Sequence, residues 1–197
     1  MSTTVTKPDE VNFATTDEAE NQRRAEALRR LIRRGQGRFV LALVEFDLPS
    51  LLNQALDELR ASFPNLNIVT VKLSPLPADA PRAQTVLDQL EDLVKLLSPD
   101  KAPDALIITG YETLFADAIA NDGRPTDSLG RAIQPLNLGR NLFAEKFPCP
   151  VLLCLPTAAM SVFLYSAPDL ASWQSGYFKF ESDLKTKRRE SWSEAYT

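Results

Sequence analysis

Residues 38–50 read RFVLALVEFDLPS. The apolar run is continuous rather than alternating, as in a strand covered on both faces. Two residues later Pro49 stands where a helix opens, since proline suits a first helical turn. Residues 50–62 then place Leu51, Leu52, Ala55, Leu56 and Leu59 on one face, the helical period. The turn between strand and helix carries Glu45 and Asp47, with no glycine and no lysine.

The same alternation repeats along the chain. Residues 66–73 (LNIVTVKL), 105–109 (ALIIT), 151–155 (VLLCL) and 177–181 (YFKFE) read as four further strands. Helices are expected over about 17–34, 83–97, 112–119, 129–147 and 157–165. Loops are expected at 74–81, 121–127 and 166–176. Gly35 stops the first helix. Strands alternating with helices specify an α/β fold with a parallel sheet covered on both faces. Residues 17–181 form one such domain, with a disordered tail at 1–16 and a charged tail at 182–197.

Composition narrows the chemistry. The 197 residues include no histidine and two cysteines, at a net charge of -4. A Ser-His-Asp triad, a Cys-His pair and a His-ligated metal are excluded, as is a four-ligand structural zinc site. Cys149 and Cys154 read as small buried hydrophobes. No apolar run approaches the ~20 residues of a membrane helix, and residues 1–20 carry no signal-peptide core. A cytoplasmic protein with no membrane partner is the expectation.

In an open parallel sheet, ligands gather beyond the carboxyl ends of the strands. A phosphate loop after the first strand needs glycines and a Lys-Ser/Thr pair, whose amides and ammonium cradle phosphate. Glu45 and Asp47 stand there instead. After the third strand come Thr109, Gly110, Tyr111 and Glu112, where a nucleotide hydrolase places a magnesium-binding Asp. Glu112 reads either as a displaced catalytic acid or as an acid favoured at a helix amino end. Glu45, Asp47 and Glu112 are the candidate oxygen ligands for a ligand or divalent cation. The expectation is nevertheless no metal and no cofactor.

Residues 20–38 hold Arg23, Arg24, Arg29, Arg30, Arg33, Arg34 and Arg38 against Glu20 and Glu26, a local charge of +5 on a remainder of -9. Such a helix pairs within the molecule, meets an acidic protein or contacts nucleic acid. Trp173, Tyr177 and Phe178 cluster around Gly176, as core or as a docking edge.

Four segments together resemble the P-loop-like domain of bacterial STAND-type NTPases and tetratricopeptide-repeat signalling proteins. They are LRRLIRRGQGRFVLALVEFDLPSLLNQALDEL, PDALIITGYETL, LNLGRNLFAEKFPCPVLLCLP and APDLASWQSGYFKFE, over about residues 28–181. The resemblance implies a five-stranded parallel sheet of order 2-3-4-1-5. It also implies a nucleotide-switch ancestry, from which residues 45–53 and Thr109 depart. The resulting expectation is a non-catalytic, pseudo-NTPase-like module that binds another protein (a repeat or effector protein of a signalling or defence assembly) or itself. One alternative is a divergent NTPase or hydrolase using Glu112 with Arg140 or Arg131. The other is a nucleic-acid binder using the arginine helix.

Overall fold

The computed structural model describes residues 16–75 and 86–182. Five parallel strands, β1 (Val40–Phe46), β2 (Ile68–Lys72), β3 (Ala105–Thr109), β4 (Pro150–Pro156) and β5 (Gln174–Phe180), form one sheet in the order β2-β3-β4-β1-β5. This is the expected P-loop-NTPase-like order, with β4 central. β1 and β4 pair over seven residues, from Val40–Pro150 to Phe46–Pro156. Six of the seven β1 residues are buried, which is what a strand between two others and two helical layers requires.

Side chains alternate across the sheet, so β1, β3 and β4 each feed two cores. Ala42, Val44, Phe46, Ala105, Ile107, Leu152, Cys154, Phe178 and Phe180 pack under α1 (Thr16–Arg34) and α2 (Pro49–Ser62), which contribute Ala25, Leu28, Ile32, Leu52, Leu56 and Leu59. Leu41, Leu43, Leu106, Ile108, Val151 and Leu153 face the other layer. That layer comprises α3 (Val86–Leu97), α4 (Ala116–Ala120), α5 (Asp127–Leu138), α6 (Arg140–Lys146), α7 (Thr157–Ser166) and α8 (Pro168–Ala171).

Three local readings are corrected. The expected helix over 129–147 is two helices that part at Gly139 (φ -89°, ψ 18°), where a side-chain carbon would lie 2.5 Å from the Pro135 carbonyl. The segment after Gly110 is a 3-10 turn, Tyr111–Phe115, before the short α4, because Gly110 adopts φ +75° and turns the chain at once. Tyr111 is thereby buried, and its hydroxyl donates to the Ala132 carbonyl at 2.9 Å. The expected loop 166–176 contains α8, opened by Pro168 and held by the Leu170 amide donating to Asn137 Oδ1 at 2.9 Å. β5 accordingly begins at Gln174. Thr16 already belongs to α1. The rest of the expected amino-terminal tail, residues 76–85 and residues 183–197 lie outside the described residues. Among the described residues no helix is long and apolar enough to cross a membrane.

A side chain at Gly110 would combine a left-handed backbone with a 2.5 Å approach to the Leu73 carbonyl. Gly110→Ala should therefore destabilise by ~1–3 kcal/mol or more, lowering Tm by several degrees at ~2–4 °C per kcal/mol. Leu97→Ala, at an exposed position, should stay within ~0.5 kcal/mol. Thermal melts of both variants check the contrast.

Candidate functional site

β1 ends at Phe46 and α2 begins at Pro49, so two residues, Asp47 and Leu48, make the whole connection. Pro49 brings no amide to the helix start, and the Leu48 carbonyl accepts from the Leu51 amide at 3.1 Å. The Asp47 amide donates to the Phe180 carbonyl at 3.3 Å. Its carboxylate Oδ2 accepts from the Ser182 amide at 3.0 Å and the Ser182 hydroxyl at 2.8 Å. The Asp47 side chain thus fastens the exit of β5, and its Oδ1 is buried with no hydrogen-bond partner.

Glu45 is the one buried polar or charged residue among the described residues. It stands on the same face of β1 as Leu41 and Leu43, and β5 supplies its partners. The Tyr177 hydroxyl donates to Oε2, and the Lys179 ammonium lies 3.6 Å from Oε1. Lys179 also pairs with Glu181 at 2.9 Å. The Glu181 hydrogen bond, helped by the Glu45 charge and opposed by burial, raises the Lys179 pKa. Burial first, and then the Glu45 carboxylate, push the Tyr177 hydroxyl well above its ordinary value.

Glu112 follows the carboxyl end of β3, half-buried, with Oε2 unpartnered. Burial raises its pKa against the pull of the Lys72 charge. Arg140 lies at the opposite end of the sheet. Its guanidinium stacks 5.6 Å from the Trp173 ring, just before β5 begins, and stands 3.8 Å from Asp169. Nη1 donates to the Asn137 carbonyl at 3.2 Å. Trp173 in turn meets the Phe39 ring, just before β1, at 6.3 Å. Arg131 is exposed, with Nε donating to the Asp127 carbonyl at 3.4 Å. The fold does not bring Glu112 and Arg140 together. Nor do Glu45, Asp47 and Glu112 make a ligand set: among the described residues no group of three His, Cys, Asp or Glu side chains is placed to hold a metal ion. Both cysteines are buried thiols, and burial raises the pKa of Cys149 to about 12 and that of Cys154 further.

The arginines of α1 divide. Arg24 pairs with Glu20 at 2.9 Å, Arg29 approaches Glu58 at 3.9 Å and Arg30 approaches Glu26 at 3.8 Å. Arg33 lies 5.7 Å from the Phe63 ring. Arg23 and Arg34 are exposed and have no side-chain partner among the described residues. Arg38 donates to the Arg34 carbonyl at 3.2 Å.

The partnership of Glu45 with Tyr177 and Lys179 escaped sequence reading, as did that of Asp47 with Ser182. The β1–β5 register, Leu43 opposite Tyr177 and Glu45 opposite Lys179, is the signal that places the first set together. It becomes readable only once those two strands are known to be neighbours.

No protein-family model and no curated protein matches this chain significantly. Among solved structures it is similar to the Aeropyrum pernix ORC2 protein, in its ADPNP-ADP complexes (TM-score 0.49) and in its ADP form (TM-score 0.48), each at 14% identity. Both matches cover 88% of this chain and 50% or 51% of that one, so the chain spans about half the length of the structures it matches.

Two tyrosines are held protonated in the fold, Tyr111 by burial and Tyr177 by burial and Glu45. In the unfolded chain both ionise near pH ~10. Above that pH the unfolded state holds fewer protons than the folded one, so stability falls as pH rises. Melts from pH 8 to 11 should show this loss, with a shallower slope in Tyr111→Phe and Tyr177→Phe. An unchanged slope in both variants would contradict the assignment.

Proposed function

We propose that this chain is a P-loop-NTPase-like α/β module that has no nucleotide chemistry and acts by protein contact. One observation carries the reading: the connection where a phosphate loop would lie is two residues long, and the carboxylates of Asp47 within it and Glu45 just before it are turned to internal partners. A phosphate loop wraps its ligand with successive backbone amides. Here the Asp47 amide bonds to Phe180, and Pro49 has none to offer. Asp47, whose carboxylate accepts from Ser182 rather than from a cation, adds negative charge where a triphosphate would sit. Each such contact at 4 Å opposes binding by about 1 kcal/mol in water and up to about 4 kcal/mol at the effective dielectric of a protein surface.

The divergent-hydrolase alternative gains no support from the geometry, because Arg140 is engaged by Asp169 and Trp173 at the far end of the sheet from Glu112. The resemblance to bacterial signalling proteins suggests a repeat or effector protein as partner. A second copy is the other protein partner in keeping with the reading, and nucleic acid is the less supported one.

Calorimetric titration of the chain with ATP and GTP in the presence of magnesium tests the first half. No saturable heat is expected up to ~1 mM nucleotide, which bounds any binding at about 4 kcal/mol, and no shift in Tm. Saturable binding of either nucleotide, or release of phosphate that Glu112→Gln abolishes, would overturn the proposal.

A further inference from the structure

Resting on the reading that the chain works through protein contact, we infer that the outer face of α1 is a docking surface for an acidic, extended protein segment. The buried residues Ala25, Leu28 and Ile32 fix which side of α1 meets the sheet. Arg23, Arg30 and Arg34 follow one another at seven and four residues, a spacing that returns to one stripe of a helix. That stripe lies opposite the buried one. At ~1.5 Å per residue it runs ~16 Å, the reach of about five residues of extended chain. Arg38 stands beyond its end, tied to the Arg34 carbonyl.

Charge selects the occupant. Among the described residues, only Arg30 of these four guanidiniums has a carboxylate neighbour, Glu26, at 3.8 Å. Arg23, Arg34 and Arg38 have none among the described residues. Arginine meets carboxylate through a planar fork of donors, and exposed single pairs contribute only ~0–1 kcal/mol. Several sites must therefore be engaged together, which an extended acidic segment does. Part of the basic charge is explained by the helix itself, since cations favour its carboxyl end. Arg23 lies in the first half of α1, outside that effect, and continues the same stripe.

A nucleic acid fits less well. A duplex carries one charge per ~1.7 Å and would run past the stripe onto the carboxylates that flank it. These include Glu20 and Glu26 on α1 and, on the neighbouring α2, Asp57 and Glu58, all exposed. Among the described residues no exposed aromatic interleaves with the stripe to stack on bases, and Phe63 lies beneath Arg33. A short segment of mixed acidic and polar residues meets the arginines and stops.

Fluorescence anisotropy with the full chain tests this. The probes are a labelled 12-residue peptide of glutamate and serine, a 12-nucleotide single strand and a 12-base-pair duplex, each at 50 and 200 mM salt. The peptide should bind saturably and more tightly than either nucleic acid. Binding should weaken at least tenfold in Arg30→Glu/Arg34→Glu/Arg38→Glu and remain within twofold in Arg131→Glu. Arg30→Gln/Arg34→Gln, which removes charge without reversing it, should lie between. Unaltered melting of the variants separates lost contact from lost fold. The inference is overturned by absence of saturable peptide binding, by tighter binding of either nucleic acid, or by a triple variant that binds like the parent. Self-association of the chain that the triple variant abolishes would put a second copy on the stripe and overturn it too. None of these failures touches the nucleotide titration; tighter binding of a nucleic acid also counts against protein contact, whereas the other failures leave that reading standing.

Discussion

A strand hydrogen-bonded on both edges and covered on both faces leaves its side chains no route to water. β1 is such a strand. Its backbone is given to β4 on one side and β5 on the other, and its even and odd residues serve two separate cores. Everything else is arranged around that confinement. The two-residue link to α2 must begin at once, because the carboxyl end of β1 leaves both cores together. Any polar atom carried by β1 must find its partner inside the sheet.

Glu45 is the case in point. A buried ion pair is weak evidence for stability, since desolvation offsets most of the attraction, but a buried charge that loses its partner is costly. The carboxylate therefore acts most strongly as a register device. β5 is an edge strand whose pairing with β1 shifts between Leu41 and Ala42. A slip of one residue would turn every β5 side chain to the opposite face. It would move Tyr177 and Lys179 away from Glu45 and draw Phe178 and Phe180 out of the α1–α2 core. Asp47 repeats the constraint two residues later by accepting from both the amide and the hydroxyl of Ser182. The two acids that look, in sequence, like a damaged phosphate loop are the fasteners of the last strand.

This explains what could be read without coordinates. β1, β3 and β4 announce themselves as short apolar runs, and α2 as a periodic stripe, because burial imposes those patterns directly. The sheet order was not in the residues. It came from the resemblance, since a parallel strand records that it is buried but not by whom. Gly139 is visible in the sequence but its effect is not, because the conflict there is with the Pro135 carbonyl. Arg140 looked available for catalysis only because Asp169 and Trp173 lie about thirty positions downstream. Glu45 and Asp47 were found as an acidic turn, but their partners lie more than 130 positions away.

Charges that function can use are distinct in this fold from charges that structure has taken. Near the carboxyl end of β1 both acids are engaged by side chains of, or just after, β5. At the amino end of the sheet Arg140 is stacked and paired. On α1 the arginines nearest the body have Glu58 or the Phe63 ring, whereas among the described residues those on the outer stripe have at most a loose contact within the helix. A helix needs no such stripe to fold, since its inner face already packs against β5 and α2. Charge that no internal contact requires, on an otherwise acidic molecule, is where an external partner of opposite charge gains most.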